Sequence, residues 1–332
     1  MITRRTLPFL AAAAIAPAIG PAIGPAIAPA RAQGSFPSRP PRILVPFTPG
    51  GSPDVMARLL ADESTRAWPH ALVVENRPGA GGNIAAEAVA RAAPDGHTIL
   101  LMSNNIVAVN PFIGRMPIDP LVDLLPVALL ARSPLVFLVS GDSAVRDLPG
   151  LIAAARAAPG RVTYASAGNG SPHHLAMALL ARMAGVEMTH VPYRGTGPAL
   201  ADLVGGRVEA MASPYGTALP LIEAGRVRPL AWAGATRLAW MPDLPTVAEA
   251  ALPGFDANTW LALAVPRGTP DAVISTIAAL AATTLGNQRV REQLDRQGIL
   301  ADSADAATLG ALWRSDHAQW GAVVREARIT AE

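Results

Sequence analysis

The amino-acid sequence predicts an α/β chain of two similar lobes, and three observations predict it. Its 332 residues, 51% of them hydrophobic, suffice for two medium domains with real cores. From Pro37 onward, short apolar runs alternate with amphipathic stretches. One pattern of strand, glycine loop, Ser-Pro and helix occurs twice, at Ile43–Leu60 and at Arg161–Gly185.

In the first half, Ile43-Leu44-Val45-Pro46-Phe47 reads as a buried strand and Thr48-Pro49-Gly50-Gly51 as a loop. Ser52-Pro53-Asp54 opens a helix: Ser as the N-cap, Pro where no N–H is needed, and Asp against the helix dipole. Val73-Val74 belong to a second strand. Asn76 to Gly82 is a glycine-rich loop, Asn83 caps a helix through Arg91, and Thr98–Met102 is a third strand. The apolar run Val127–Val139 is interrupted at Arg132-Ser133-Pro134, a candidate crossover between lobes. The second half restarts with strand Arg161–Ala165, loop Gly168-Asn169-Gly170, and a helix from Ser171-Pro172 that ends at Gly185. Met188–His190, Val208–Ala212 and Leu230–Ala233 read as further strands, and Trp260–Val265 carries the chain back. Helices follow near Pro270–Leu285 and Thr308–Ala327.

Composition excludes several chemistries. The chain has no Cys, so it has no disulfide, thiolate nucleophile or cysteine-bound metal. All 27 basic residues are Arg, so Schiff-base and phosphate-loop lysines are absent. Three of these arginines (Arg4, Arg5 and Arg31) precede residue 33, which leaves 24 against 25 acids. No basic face is visible, and nucleic acid is not expected as a partner.

Residues 1–32 read as an export signal. Arg4-Arg5 is the positive start, which also permits a twin-arginine route. Leu7 to Ala30 is an apolar run, and Ala30-Arg31-Ala32 is a small-x-small cleavage site. The prolines of the repeat at 18–25 break any membrane-spanning helix, against the alternative of an uncleaved anchor.

In an open α/β sheet, ligands sit beyond the carboxyl ends of the strands, where both Ser-Pro helices start. A helix N-terminus offers free N–H groups and partial positive charge, and glycines admit a ligand to the backbone. Alone, each motif reads as a well-capped helix. As a pair facing one cleft, Gly50-Gly51-Ser52 and Gly168-Asn169-Gly170-Ser171 read as an anion site with no buried cation. Gly79-Ala80-Gly81-Gly82 reads as a tight turn, lacking the spacing of a dinucleotide loop. His173 and His174 point about 100° apart on a helix, so one of them faces the cleft or neither does. Tyr193, Tyr215 and Trp260 wall a pocket or fill the core; Arg77 and Arg194 pair with a ligand or with surface acids. No nucleophile elbow or zincin motif is present; a Ser171–His174 pair is conceivable, but Ser171 serves better as a cap.

The segments 43–54 and Val74-Glu75-Asn76-Arg77-Pro78-Gly79-Ala80-Gly81-Gly82-Asn83 closely resemble the Bug family, the periplasmic receptors of tripartite tricarboxylate transporters. Ala93-Pro94-Asp95-Gly96, Tyr164 to Gly170, His190-Val191-Pro192-Tyr193-Arg194-Gly195 and Leu244-Pro245-Thr246-Val247-Ala248-Glu249-Ala250 continue the match. The resemblance implies a type II periplasmic-binding-protein fold with a ligand cleft between two α/β lobes: 33–138 with 263–332, and 139–262. It implies a carboxylate held largely by backbone amides at Gly51, Ser52 and Asp54 and at Ser166, Ala167, Asn169, Ser171 and His174. Phe47, Gly50, Tyr193 and Thr196 complete the expected ligand-binding set, together with two loops where the chain departs from the family pattern. These are Ser103-Asn104-Asn105 and Ser213-Pro214-Tyr215, to which ligand selectivity is assigned.

The resemblance further implies a monomeric, non-enzymatic receptor that needs no cofactor or metal and whose partners are a small carboxylate and a membrane permease. A ligand presenter for a sensor kinase and a periplasmic hydrolase are the alternatives. N-terminal sequencing of the protein from its native host is expected to begin at Gln33; a membrane-bound form retaining Arg4 would overturn the leader reading.

Overall fold

The computed structural model describes residues 36–47, 49–193, 195–326 and 329–330. The export-signal reading, Thr48 and Arg194 lie outside the described residues.

Two sheets organise the described residues, which form one compact unit. In the first, β1 (Arg42–Val45) lies parallel between β2 (Val73–Asn76) and β3 (Thr98–Ser103). The order continues through β10 (Thr259–Pro266) and β4 (Leu124–Ser133) to β11 (Leu300–Ala304), all antiparallel to their neighbours. In the second, β6 (Thr163–Ser166) lies parallel between β7 (Thr189–Pro192) and β8 (Ala210–Pro214). Then β5 (Leu135–Ser140) pairs antiparallel with β8 and with β9 (Val227–Trp232). The buried β3, with Ile99, Leu100, Leu101 and Met102 all nearly inaccessible, shows why these strands read as continuous apolar runs: both sheet faces are covered. Alternate residues feed different cores: Leu44, Leu100 and Met102 one, Ile43, Val45, Ile99 and Leu101 another.

The chain crosses between sheets twice. Pro134 separates β4 from β5, because proline cannot donate to the ladder and the run bends there. Since β5 pairs only in the second sheet, the first crossing precedes the expected boundary after residue 138. Likewise β10 pairs in the first sheet from Thr259, so the return precedes the expected residue 263. An uninterrupted apolar run hides such a switch, since both strands are equally buried. β11 and the helix Gln288–Asp295 were not anticipated from the sequence.

The C-terminal helix Ala306–Glu326 spans both lobes. It buries Leu309, Trp313, Trp320, Val323 and Val324, packing on β4 and on the helices Asn105–Ala108 and Pro172–Ala184. Among the described residues no helix is long and apolar enough to cross a membrane.

The two lobes also meet backbone to backbone, at a helix of one and a turn of the other. A Cβ on Gly216, in the helix Tyr215–Glu223, would collide with the carbonyl oxygen of Gln297. Gly216→Ala is expected to cost about 1–3 kcal/mol by overpacking, read in urea denaturation. Gly197→Ala, with nothing near its Cβ, should leave stability within about 0.5 kcal/mol.

Candidate functional site

In the first lobe, the helix Ser52–Ala67 starts one residue earlier than the cap reading allows. Gly51 is the N-cap, with φ −81° and ψ 169°, and Ser52 is already helical with no side-chain cap bond. The bracing comes from Asp54, whose side chain is buried. Its Oδ2 accepts from Gly50 N at 3.0 Å, as a first-turn carboxylate reaching back does. Asn76 Nδ2 donates to Asp54 Oδ1 at 3.0 Å and to the Phe47 carbonyl at 3.1 Å. Arg58 closes a fork on both carboxylate oxygens, at 2.9 and 3.1 Å. The Arg58 bonds, with Gly50 and Asn76, hold this carboxyl below its ordinary range against the opposing effect of burial. Asp54 and Phe47 therefore shape the loop. Gly50, at φ +91°, occupies the left-handed region that favours glycine.

In the second lobe, Ser171 caps as expected: its Oγ accepts from His174 N at 3.4 Å, and the helix runs Pro172–Ala184. The preceding loop is tied internally. Ser166 Oγ accepts from Gly168 N at 3.1 Å and lies 2.6 Å from His190 Nε2. Gly170 N donates to His174 Nδ1 at 3.2 Å, which leaves the ring proton of a neutral His174 on Nε2. His174 stacks on His190 at 3.7 Å, and His190 on Tyr164 at 5.0 Å. Burial, then His190, pushes His174 down to about 3, and burial pushes His190 down to about 4. His173 points elsewhere, with Nε2 at 3.2 Å from Thr196 Oγ1, and burial lowers it to about 4.

First-lobe side chains lie beside each loop region. A Cβ on Gly82 would lie 3.0 Å from Pro46 Cβ and 3.3 Å from Ile106 Cδ1, and one on Gly170 would lie 2.7 Å from Ile113 Cδ1. Pro172 and Leu175 meet Asn104, Asn105 and Val109 around a small cavity. In both helix starts the first-turn amides, of Ser52 and His173, have no intrahelical acceptor. A larger groove of about 810 Å³ runs from Asn169, His174 and His190 along Met188 to Ile329. It includes Asn169 and His174 of the second-lobe helix start and no residue of the Gly50-Gly51-Ser52 loop.

Several expected contacts are committed elsewhere. Ser103 Oγ donates to Asn105 Oδ1, and Asn105 Nδ2 donates to the Gly81 carbonyl at 2.6 Å, so this pair holds the glycine turn in place. Asn104 Nδ2 reaches the Asn258 carbonyl at 3.3 Å, at the lobe crossing. Ser213 is fully buried, and Tyr215 stacks on Trp240 at 5.2 Å and edge-on to Trp232 at 5.1 Å as lobe core. Tyr193 OH donates to Asp202 at 2.7 Å, and Arg77 pairs with Glu75 at 2.6 Å. Asn83 follows a glycine N-cap instead of capping, and its Oδ1 accepts from Asn110 at 2.6 Å. Sequence reasoning passed over His190 as a site residue; its register opposite Tyr164 on a parallel strand brings it beside the loop.

The Ser166–His190 contact has the form of a nucleophile and base. Yet no carboxylate among the described residues orients His190, and an imidazole held near 4 is a weak base at neutral pH.

With this geometry in view, residues 56–329 match the family described as "Tripartite tricarboxylate transporter family receptor" (TctC). The chain belongs to this family. Protein BugT of Bordetella pertussis is 36% identical to it over 294 residues, covering 88% of this chain and 90% of the relative. Among solved structures, an R. palustris protein with adipate is 35% identical with a TM-score of 0.78, covering 89% of this chain and 99% of its own. MatC from Rhodopseudomonas palustris with bound malate is 34% identical with a TM-score of 0.75, covering 87% and 100%. The two-lobed periplasmic-binding fold is therefore that of the TctC receptors, which are solute-binding proteins and not enzymes.

The neutral imidazoles of this TctC receptor contribute to its acid response. Their folded values lie below the ordinary 6.5, so the folded state binds fewer protons than the unfolded chain. Their contribution is present above pH 6.5 and is lost as pH falls toward about 4. Urea denaturation between pH 7 and 4.5 should show declining stability, with a shallower decline in His190→Gln; an identical slope would count against neutral His190.

Proposed function

We propose that this chain is a periplasmic receptor that captures a small carboxylate for the permease of a tripartite tricarboxylate transporter. The observation that carries the reading is the repeated glycine-loop helix start, each with a first-turn amide that has no intrahelical acceptor. The described arginines nearest these loops are already engaged, Arg58 by Asp54 and Arg77 by Glu75. The anchor is accordingly backbone, which recognises a carboxylate and leaves the remainder of the ligand to other groups. The carboxylates named with two solved relatives, adipate and malate, support the ligand class. The receptor works as a monomer, without cofactor or metal.

Gly51 gives a clean test. Its φ of −81° suits any residue, and a Cβ there would only touch Pro53 Cδ at 3.7 Å. Gly51→Val should therefore fold normally but keep a carboxylate off the backbone. Calorimetry with adipate, malate and their diamides is expected to show binding of a carboxylate and none of its diamide. Gly51→Val should lose at least tenfold in affinity, about 1.4 kcal/mol. Normal binding by Gly51→Val would overturn the backbone anchor.

A further inference from the structure

The second lobe crossing carries two carboxylates that the ligand reading does not use. Asp256 lies just before β10, and Asp316 lies on the C-terminal helix. Both line one small polar cavity of about 40 Å³, with Arg132, Asn258, Trp260 and Gln319 around it. That volume holds about one water. Trp260 Nε1 donates to Asp316 Oδ2 at 2.7 Å, and Gln319 Nε2 donates to the Asp256 backbone carbonyl at 3.2 Å.

The two acids sit on different elements, Asp256 on the segment that leaves the second lobe and Asp316 on the helix that packs on both. Phe255, beside Asp256, packs edge-on against Phe137 of β5 at 5.8 Å, which ties that segment to the second lobe. Asp316 is held by Trp260 on β10 of the first lobe. The contacts of Gly170 with Ile113 and of Gly216 with Gln297 show the lobes engaged.

The charged surroundings leave the pair unbalanced. From β4, Arg132 faces it, but its Nε is bound to Asp302 of β11 at 2.6 Å. On the C-terminal helix, Arg314 lies near Gly310, away from the pair, and His317 Nδ1 is at 2.7 Å from the Val107 carbonyl. Trp260, Leu312, Trp320 and Asn258 bring no charge. Asn104 lies beside Asp316, where its side-chain hydrogen bond, like that of Trp260, favours the ionised carboxyl and opposes the effect of burial.

We propose that Asp256 and Asp316 form a proton-binding site at the hinge, where uptake of one proton favours the lobe-engaged arrangement. Opening draws Asp256 away with the second lobe, so both acids reach water and ionise. Closing desolvates them together, and two neighbouring carboxylates do not both stay charged. Burial, and secondarily Asp256, raises Asp316 to about 6, and burial raises Asp256. A raised carboxyl contributes fully below its ordinary value of 3.8 and loses its contribution as pH rises through about 6. Acid thus favours engagement and neutral pH favours opening. The inference rests on the fold and is independent of which ligand is bound.

The test uses the ligand-free mature chain. Tryptophan emission, titrated from pH 4.5 to 8, should show a one-proton transition near pH 6, since the Trp260 indole touches Asp316. The transition should vanish in Asp316→Asn and move to lower pH in Asp256→Asn, where the like charge is gone. Small-angle scattering should give a smaller radius of gyration at pH 5 than at pH 8, and Asp316→Asn should hold the compact value at both. A transition unchanged in both variants, or equal radii for the parent protein at the two pH values, would overturn the proposal. Should Asp316→Asn misfold, Asp256→Asn alone decides through the direction of its shift.

Discussion

Two chain crossings, at Pro134 and before Thr259, set the terms on which every other part of this molecule works. Each sheet has its own outer core, yet one apolar cluster runs through both lobes and under the C-terminal helix. Relative motion of the lobes must therefore be taken up at the crossings, because close-packed interiors shift between discrete arrangements and do not stretch. This explains why polar groups gather there: Asn104, Arg132, Asp256, Asn258 and Asp316 line small cavities that an apolar core would fill.

The two loops solve one problem in different ways. A glycine loop that lets an anion reach the backbone is intrinsically loose, and something must hold it without occupying the ligand's place. The first lobe uses a buried carboxylate that gathers Gly50, Asn76 and Arg58. The second uses uncharged groups, a serine and two stacked imidazoles. Both devices consume some of the backbone amides that a simple count of helix ends assigns to the ligand, so the usable donors are fewer than the motif suggests.

Much of the fold was legible because its signals are local. The repeated strand, glycine loop and helix depend on periodicity and turn chemistry within about twenty residues, and both repeats stand where the pattern puts them. The Pro134 crossing was legible for the same reason. What escaped were relations across the chain. Tyr215 looked like a cleft aromatic, but tertiary packing places it against Trp232 and Trp240. Ser103 and Asn105 looked like ligand donors, but Ser103 donates to Asn105, and Asn105 donates to the Gly81 carbonyl and to Asn110. Ser52 looked like a cap, but two residues later Asp54 competes for that task with a full charge. A polar side chain beside a site is ambiguous in sequence because its partner may lie 30 residues away.

The contact between Gly216 and the Gln297 carbonyl has the character of a mechanical end-stop. Side chains at an interface can yield by changing rotamer, whereas two peptide planes meeting without a Cβ between them cannot. The spacing of the two lobes at this point is therefore set by the main chain and not by any side chain.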